Sequence, residues 1–260
     1  MIAKFHAKAI QAMNGGQLGA IYARNPEKAA ALGKEFDCKS YSSLADLLKD
    51  DSIEIVTIAT PSGAHLEPTI SAAKAGKHIV CEKPLEVTPE RISKMIEVCE
   101  QENVVLAGIF NRRFNPAVEA LKNAIEKGRF GKLALCDAQI KWFRTQEYYD
   151  SGQWRGTWEL DGGGALMNQS IHTIDQLIYF VGDVKRVSAT TACLTHENIE
   201  VEDTAVAILE FENGARGVIQ GSTSCWSSTG HPAEIQLCGS EGSVFIQDDK
   251  FRIWDFKNPL

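Results

Sequence analysis

The sequence DGGGALMNQSIHTID, residues 161–175, combines a run of glycines with polar residues at helical spacing. Three consecutive glycines, at positions 162, 163 and 164, disfavour a helix interior but let the backbone approach another group closely. Asn168, His172 and Asp175 follow at positions i, i+4 and i+7, which places an amide, an imidazole and a carboxylate on one stripe of a helix. The rest of this helix is largely apolar, so the polar stripe faces either solvent or a polar cavity. The glycines favour the cavity, because they let the backbone lie close to a ligand.

A purely structural role for this stretch is the alternative. A histidine on a buried helix is commonly a core residue with satisfied hydrogen bonds, and a glycine run can serve only a tight turn. In that case Asp175 would simply be solvated.

The composition is that of an ordinary globular protein. The chain has 260 residues, enough for about two domains at ~150 residues each. A net charge of −7 without any basic block argues against a nucleic-acid-binding surface. No apolar run approaches the ~20 residues that cross a bilayer. Seven cysteines, an odd number with no CxxC pair, indicate reduced thiols in a cytoplasm rather than disulfides or a metal site.

Residues 1–114 alternate predicted helices with short apolar strands, which indicates a parallel sheet covered on both faces. Strands are expected at residues 18–22, 53–59, 77–81 and 104–110. Ligands of such a sheet bind beyond the carboxyl ends of the strands. Three polar clusters lie at these ends: Thr60-Pro61, Glu82-Lys83-Pro84 and Asn111-Arg112-Arg113.

The chain opens on a predicted helix, in which Ile2, Phe5, Ile10 and Met13 recur on one side. A doubly wound nucleotide-binding sheet has a first strand before that helix. We therefore expect a longer protein, with further residues upstream of residue 1 and downstream of residue 260.

Residues 115–260 predict an α+β domain whose large, mainly antiparallel sheet carries the helix of residues 161–175. After a helix at residues 115–127, strands are expected at residues 132–143, 184–194, 204–211, 215–222, 234–238 and 243–247. Asn213-Gly214 predicts a tight hairpin, and Glu241-Gly242 is a weaker hairpin signal. The strands at residues 204–211 and 215–222 are apolar on both faces in places, so we expect the face away from the helix to pack on a second subunit.

Three segments, taken together and in this order, resemble the glucose–fructose oxidoreductase / inositol dehydrogenase (Gfo/Idh/MocA) family. They are ATPSGAHLEPTISAAKAGKHIVCEKPL (residues 59–85), FNRRFNPAVEALKNAIEKGRFGKL (residues 110–133) and GGGALMNQSIHTIDQL (residues 162–177). The resemblance implies an α/β Rossmann domain, with its first strand absent from this sequence, followed by the α+β domain. It also implies an enzyme that moves hydride between NAD or NADP and a secondary hydroxyl of a sugar, cyclitol or nucleotide sugar.

Lys83 matches the active-site lysine of the family and His172 its active-site histidine. We expect His172 to accept the hydroxyl proton, because the unperturbed imidazole pKa of about 6.5 lies near neutral pH. Lys83 would hold the same oxygen and stabilise developing alkoxide. The alternative makes Lys83 the base, with a pKa lowered by burial. Asn168, Asp175 and Arg112 are the expected substrate-binding residues; many family members carry Asp at position 168, whereas Asn cannot accept a proton.

The resemblance assigns cofactor binding to a further set of residues: Ala3, Arg24, Thr60, Pro61, His65, Glu82, Lys83, Trp154 and Arg155. The glycine-rich fingerprint of the family would end at about position 3. Arg24 stands where NAD-preferring members tend to carry an acid, which favours NADP, although it can equally be a solvent-facing turn residue. Trp154-Arg155 resembles a loop that packs on the cofactor; the alternative is an aromatic loop that covers the helix.

Two other functions remain open at this point. One is an isomerising or glycosidase-like relative that retains NAD, and the other is a sensor that binds a dinucleotide without turnover. The presence of both Lys83 and His172 argues against the sensor, since binding alone does not need a base beside an ammonium group.

Overall fold

The computed structural model describes residues 2–258 and divides into two compact units, Met1–Ile109 and Phe110–Leu260. The division falls a few residues before the boundary expected after residue 114. Within residues 2–258, every helix is too short or too polar to cross a membrane.

The first unit alternates helices and strands, and all of its described strand pairs are parallel. Its helices are α1 (Ile2–Ala12), α2 (Pro26–Phe36), α3 (Leu44–Leu48), α4 (Leu66–Lys74) and α5 (Pro89–Gln101). Its strands are β1 (Ala20–Tyr22), β2 (Lys39–Tyr41), β3 (Ile55–Ile58), β4 (His78–Cys81) and β5 (Leu106–Gly108). The parallel α/β architecture is confirmed, whereas β2 was not predicted because three residues are too short for a periodic signal.

Local sequence sets the helix starts in this unit. Asn25, Ser43 and Thr88 each accept a hydrogen bond from a backbone N–H in the first turn of the helix that follows. Proline occupies the first helical position of α2 and α5, where its missing N–H costs nothing. α4 and α5 pack on the strands through a buried core: Ile58, Ala72, Ala73, Ile79, Cys81, Met95, Val98 and Cys99.

One expectation for the first unit is wrong. The strands form two sheets among the described residues, β1–β2 and β3–β4–β5, instead of one. The helix predicted at the start of the chain is present as α1, with Phe5 within it and Met13 just after it exposed. This helix docks through polar contacts: His6 bonds to side chains at two strand ends, and Gln11 donates to the carbonyl oxygen of Phe36.

The second unit is built on a seven-stranded sheet. Its strands are β6 (Leu133–Lys141), β7 (Val184–Ala192), β8 (Thr204–Phe211), β9 (Arg216–Ser222), β10 (Ala233–Gly239), β11 (Gly242–Gln247) and β12 (Lys250–Phe256). They lie in the order β12-β11-β10-β6-β9-β8-β7, and only the β6–β9 pair is parallel. The expected large, mainly antiparallel sheet is confirmed. Gly214, at φ +88°, makes the predicted turn between β8 and β9.

Three helices accompany this sheet: α6 (Pro116–Glu126), α7 (Gln146–Asp150) and α8 (Ile171–Val181). α6 and α8 cover one face of the sheet. Their buried residues, among them Leu121 and Leu177, share a core with the inward positions of the strands, such as Leu209 and Phe211. α7 was not predicted, because five residues are too few to show a helical period.

Candidate active site

The glycine run before α8 packs against another segment of the same chain, at Glu202. An ideal Cβ on Gly164 would lie 1.7 Å from the backbone oxygen of Glu202. That oxygen accepts from the N–H of Ala165 at 2.9 Å, and the Glu202 carboxylate accepts from the N–H groups of Gly164 and Leu166. The expectation that the glycines serve ligand approach is therefore corrected at Gly164. Only glycine allows this contact with Glu202, and the contact anchors the start of the helical segment.

The helical stretch that follows is not one regular α-helix. Residues Ala165–Ser170 form a π turn, and α8 begins at Ile171. A π turn holds more residues per turn than an α-helix, so it breaks the stripe predicted from 3.6-residue spacing. His172 and Asp175 keep their helical relation on α8, whereas Asn168 belongs to the π turn.

The side-chain amide of Asn168 lies in a chain of hydrogen bonds. Its Nδ2 donates to Asp161 Oδ1 at 2.6 Å, and its Oδ1 accepts from Gln169 Nε2 at 3.1 Å. Asp161 is buried and also accepts from the N–H of Gly156, while Gln169 accepts from Arg144 Nη2. These partners determine which way the amide of Asn168 is turned. Asp161 and Gln169 lie in the same stretch of sequence as Asn168, whereas Gly156 and Arg144 lie outside it; helical spacing singled out none of them.

His172 is half-buried on α8, where its ring meets that of Phe110 edge-on at a centroid distance of 6.3 Å. Asp175, three residues on, is not solvated: its side chain is 11% exposed, and its two oxygens accept from Nε and Nη2 of Arg113. The guanidinium of Arg113 also lies 4.7 Å from the ring centre of Tyr179. Both oxygens of the Asp175 carboxylate are therefore used in the ion pair with Arg113, which is a structural contact.

The other predicted residues of the second unit lie beside aromatic rings. The guanidinium of Arg112 is 5.9 Å from the ring centre of Trp142. That of Arg155 lies 4.9 Å from the ring of Trp154 and 4.7 Å from the ring of Tyr148. The Nε of Arg155 is buried and has no hydrogen-bond acceptor among the described residues.

In the first unit, Glu82 directly follows β4 and contacts α1. Its carboxylate accepts from His6 Nε2 at 2.9 Å and from the N–H of Lys83 at 3.0 Å, while His6 Nδ1 lies 3.2 Å from Thr57 Oγ1. Burial alone would raise the pKa of Glu82, but the hydrogen bonds from His6 and Lys83 hold it below its ordinary value. Lys83 is half-buried beside this pair. His6 carries no motif and was not predicted.

His65 joins the loop after β3 to the loop after β4. It is buried, its Nδ1 lies 3.0 Å from the carbonyl oxygen of Pro84, and its Nε2 lies 2.9 Å from that of Thr60. The buried carboxylate of Glu86 accepts from the backbone N–H of His65 and from Arg91. These contacts give His65 the role of shaping the loop at the strand ends.

The remaining predicted residues of this unit are accessible. Thr60 and Arg24 are exposed and Pro61 is partly buried; Arg24 lies in the turn between β1 and α2. Ala3 is exposed on α1.

Sequence comparison with known families covers both units. Residues 1–110 match the oxidoreductase family with an NAD-binding Rossmann fold, and residues 118–245 match the GFO/IDH/MocA C-terminal domain. The structure is similar to the WlbA dehydrogenase of Bordetella pertussis in complex with NADH and UDP-GlcNAcA. The TM-score is 0.94 at 36% identity, over 100% of this chain and 80% of that chain. The chain belongs to the Gfo/Idh/MocA family.

Two curated relatives agree with this family assignment. Levoglucosan dehydrogenase of Pseudarthrobacter phenanthrenivorans is 30% identical over 249 residues, which are 87% of this chain and 64% of the relative. Myo-inositol 2-dehydrogenase of Thermotoga maritima is 31% identical over 214 residues, 81% of this chain and 61% of the relative. The chain thus spans less than two thirds of either relative. Family membership confirms the expected NAD-binding Rossmann domain and the α+β domain that follows it.

Proposed function

We propose that the protein is an NAD(P)-dependent oxidoreductase acting on a secondary hydroxyl of a sugar, cyclitol or nucleotide sugar. The observation that carries this proposal is the family match over both units, together with Lys83 and His172 at the positions of the family's active-site motifs. The dehydrogenases to which the chain is similar are named for levoglucosan and myo-inositol, and WlbA was solved with a nucleotide sugar.

The residues present fit a dinucleotide cofactor. Arg155 has a buried Nε without an acceptor among the described residues, as expected where a bound group supplies the acceptor. Thr60 and Pro61 follow β3 at its carboxyl end, where ligands of parallel sheets bind. We propose that these residues, with Lys83 and Trp154, hold NAD or NADP, and that exposed Arg24 favours the 2′-phosphate of NADP. When bound, the cofactor accepts or supplies the hydride.

In the proposed mechanism His172 removes the hydroxyl proton from the substrate. Its ring is held edge-on by Phe110, which favours one orientation of the imidazole. Lys83 binds the same substrate oxygen and stabilises the negative charge that develops as the proton leaves. Asn168 binds a neighbouring hydroxyl through an amide whose orientation Asp161 and Gln169 determine. Since an amide cannot accept a proton, Asn168 binds and orients only.

A substrate screen tests the proposal. The protein is mixed with NAD⁺ or NADP⁺ and with levoglucosan, myo-inositol or UDP-GlcNAcA, and formation of the reduced cofactor is followed by its absorbance. We expect steady, substrate-dependent reduction of free cofactor in at least one combination. Reduction limited to one equivalent of tightly bound cofactor would instead indicate the isomerising relative. Tight cofactor binding without turnover on any sugar would indicate the sensor.

We further propose a cytoplasmic homo-oligomer. All seven cysteines are free thiols, which is the usual state in a reducing compartment. The face of the sheet away from α8 exposes apolar side chains, including Val206 and Ile208, which a second copy of the chain would cover.

A further inference from the structure

Arginines and aromatic rings alternate along one stretch of the second unit. We name this the arginine–aromatic ladder; in order of contact it consists of Arg112, Trp142, Arg144, Tyr148, Arg155 and Trp154. Each guanidinium carbon lies 4.7–5.9 Å from the centre of a neighbouring ring. All six side chains are partly buried, so the rings hold the guanidinium groups in place while leaving them partly accessible to solvent.

The ladder arginines have no carboxylate partner within the described part of the chain. The arginine ion pairs found among residues 2–258 involve Arg91, Arg113, Arg186 and Arg216. A bound anion would supply a counter-ion that the described residues do not give to these arginines.

The two arginines beside Trp142 keep most of their hydrogen-bond donors available. A guanidinium has five N–H donors. Arg144 donates from Nη1 to the carbonyl oxygen of Phe143 and from Nη2 to Gln169 Oε1. The hydrogen bonds found among the described residues include none from the side chain of Arg112. These remaining donors match the oxygens of a carboxylate or phosphate.

The backbone beside this pair is held firmly. Beyond β6 the chain continues to pair with the segment after β9: the N–H of Trp142 donates to the oxygen of Ser222 at 2.9 Å, and that of Arg144 to Thr223 at 2.8 Å. The N–H of Cys225 returns to the oxygen of Trp142 at 2.9 Å. Because this backbone is fixed, an anion binds here with little loss of conformational entropy.

The ladder is also linked to the proposed substrate residue Asn168. Arg144 donates to Gln169, and Gln169 donates to the amide oxygen of Asn168. An anion at Arg144 therefore lies within the hydrogen-bond network that orients the substrate. A neutral sugar would offer these guanidinium groups only uncharged acceptors, which form weaker hydrogen bonds than an anion does.

We propose that Arg112 and Arg144, both stacked beside Trp142, form a subsite for an anionic group of the substrate, a carboxylate or a phosphate. The inference rests on the proposed function, in that the anion is part of the sugar derivative that is oxidised. It narrows the substrate class from sugars in general to uronates, sugar phosphates or nucleotide sugars.

Binding of four probes, measured by titration calorimetry with reduced cofactor present, tests this subsite. UDP-glucuronate carries both kinds of anion, UDP-glucose only phosphates, glucuronate only a carboxylate, and glucose neither. Arg112→Met should weaken binding of the anionic probes by roughly 10- to 100-fold, as expected for a charge-assisted hydrogen bond, and leave glucose unchanged. Loss with glucuronate assigns the subsite to a carboxylate, and loss with UDP-glucose assigns it to a phosphate.

Arg252→Met is the matched control, because Arg252 is exposed on β12 outside the ladder. It removes the same charge and should leave all four affinities unchanged. A second measurement needs no variant: affinity of the unmodified protein for the anionic probes should fall with added salt, while affinity for glucose should not.

The subsite is ruled out if Arg112→Met leaves binding of both kinds of anion within twofold, or if glucose binds as tightly as UDP-glucuronate. Turnover of neutral sugars with no anion binding would overturn the subsite and leave the oxidoreductase function standing. Anion binding through Arg112 without hydride transfer to any sugar would support the subsite and contradict the oxidoreductase function.

Discussion

At the scale of single residues, the proposed chemistry depends most directly on His172. His172→Ala should lower turnover by roughly 10²–10⁴-fold, the usual contribution of a general base. It should also flatten the acidic limb of the pH–rate curve, because that limb reports the protonation of the base. Lys83→Met should cost as much turnover but keep the acidic limb. Steady-state rates between pH 5 and 10 measure both effects.

His231→Ala is a suitable control for this experiment, since His231 is exposed in the loop before β10. It should keep full turnover. A His172→Ala enzyme with near-normal turnover and an unchanged pH profile would contradict the assignment, and a Lys83→Met enzyme that loses the acidic limb would make Lys83 the base.

Asp203 offers a second residue-scale prediction, about stability. Burial alone would raise its pKa, but the N–H groups of Thr195, Leu194 and His196, with the ring of His196, outweigh burial and hold the pKa well below its usual range. Since the folded pKa is depressed, Asp203 contributes its full stability above the unfolded value of about 4. That contribution is lost as the pH falls through and below 4.

Asp203→Asn should therefore lower the free energy of unfolding by about 2–4 kcal/mol at pH 7, because it removes the charge from a fully buried, multiply bonded carboxylate. The difference in unfolding free energy between this variant and the unmodified protein should be smaller at pH 3. Urea unfolding at both pH values measures it, with exposed Asp183→Asn as the control. An equal loss at both pH values would show that the charge of Asp203 is not the cause.

At the scale of elements, the start of the helical segment depends on Gly164. Alanine there would place its Cβ 1.7 Å from the backbone oxygen of Glu202, which is itself bonded to the N–H of Ala165. Gly164→Ala should therefore destabilise the second unit by about 3 kcal/mol or more. A Cβ at position 163 would meet side-chain atoms only, Met167 Cβ at 2.8 Å and Glu202 Oε2 at 3.9 Å, so Gly163→Ala should cost less. Thermal unfolding compares the two; equal losses would contradict the proposed anchoring.

The elements also show what the sequence can predict. The strands β8 and β9 follow from apolar runs joined by Asn213-Gly214, a signal confined to neighbouring residues. The π turn at Ala165–Ser170 could not be predicted, because Glu202 anchors its first residues from a distant part of the chain. The short elements β2 and α7 were missed since each spans fewer than two periods of its pattern, which therefore does not repeat.

The residues of the candidate site likewise fall into two groups, those that the sequence predicts and those that only the structure shows. Lys83 and His172 can be predicted from the sequence, because each lies within a motif formed by neighbouring residues. The hydrogen-bond partners of the nearby polar residues are evident only in the structure: Arg113 bonds to Asp175, and Asp161 bonds to Asn168. Arg113 and Asp175 lie 62 residues apart in the sequence, so no local spacing indicates that pair. Asp161 and Asn168 lie only seven residues apart, but the glycine run and the π turn between them hide the contact from helical spacing.

At the scale of the whole molecule, the seven-stranded sheet has two unequal faces. Along β8, Ala207, Leu209 and Phe211 are buried in the core with α6 and α8. The alternate positions Val206 and Ile208 are 45% and 59% exposed on the opposite face. Antiparallel sheets often leave one face in water, but that face is then polar. Exposed branched apolar residues on such a face are typical of a surface that another subunit covers.

We therefore expect a homo-oligomer that forms through this face. Light scattering at micromolar concentration should give a mass at least twice that of one chain. Ile208→Lys should shift the mass to that of a monomer, because pairing two copies would bury the new charges without partners. Leu194→Lys is the control: Leu194 is 66% exposed in the loop after β7, so its replacement should leave the mass unchanged. A monomeric unmodified protein would contradict self-association, and an oligomer that survives Ile208→Lys would place the interface on another surface.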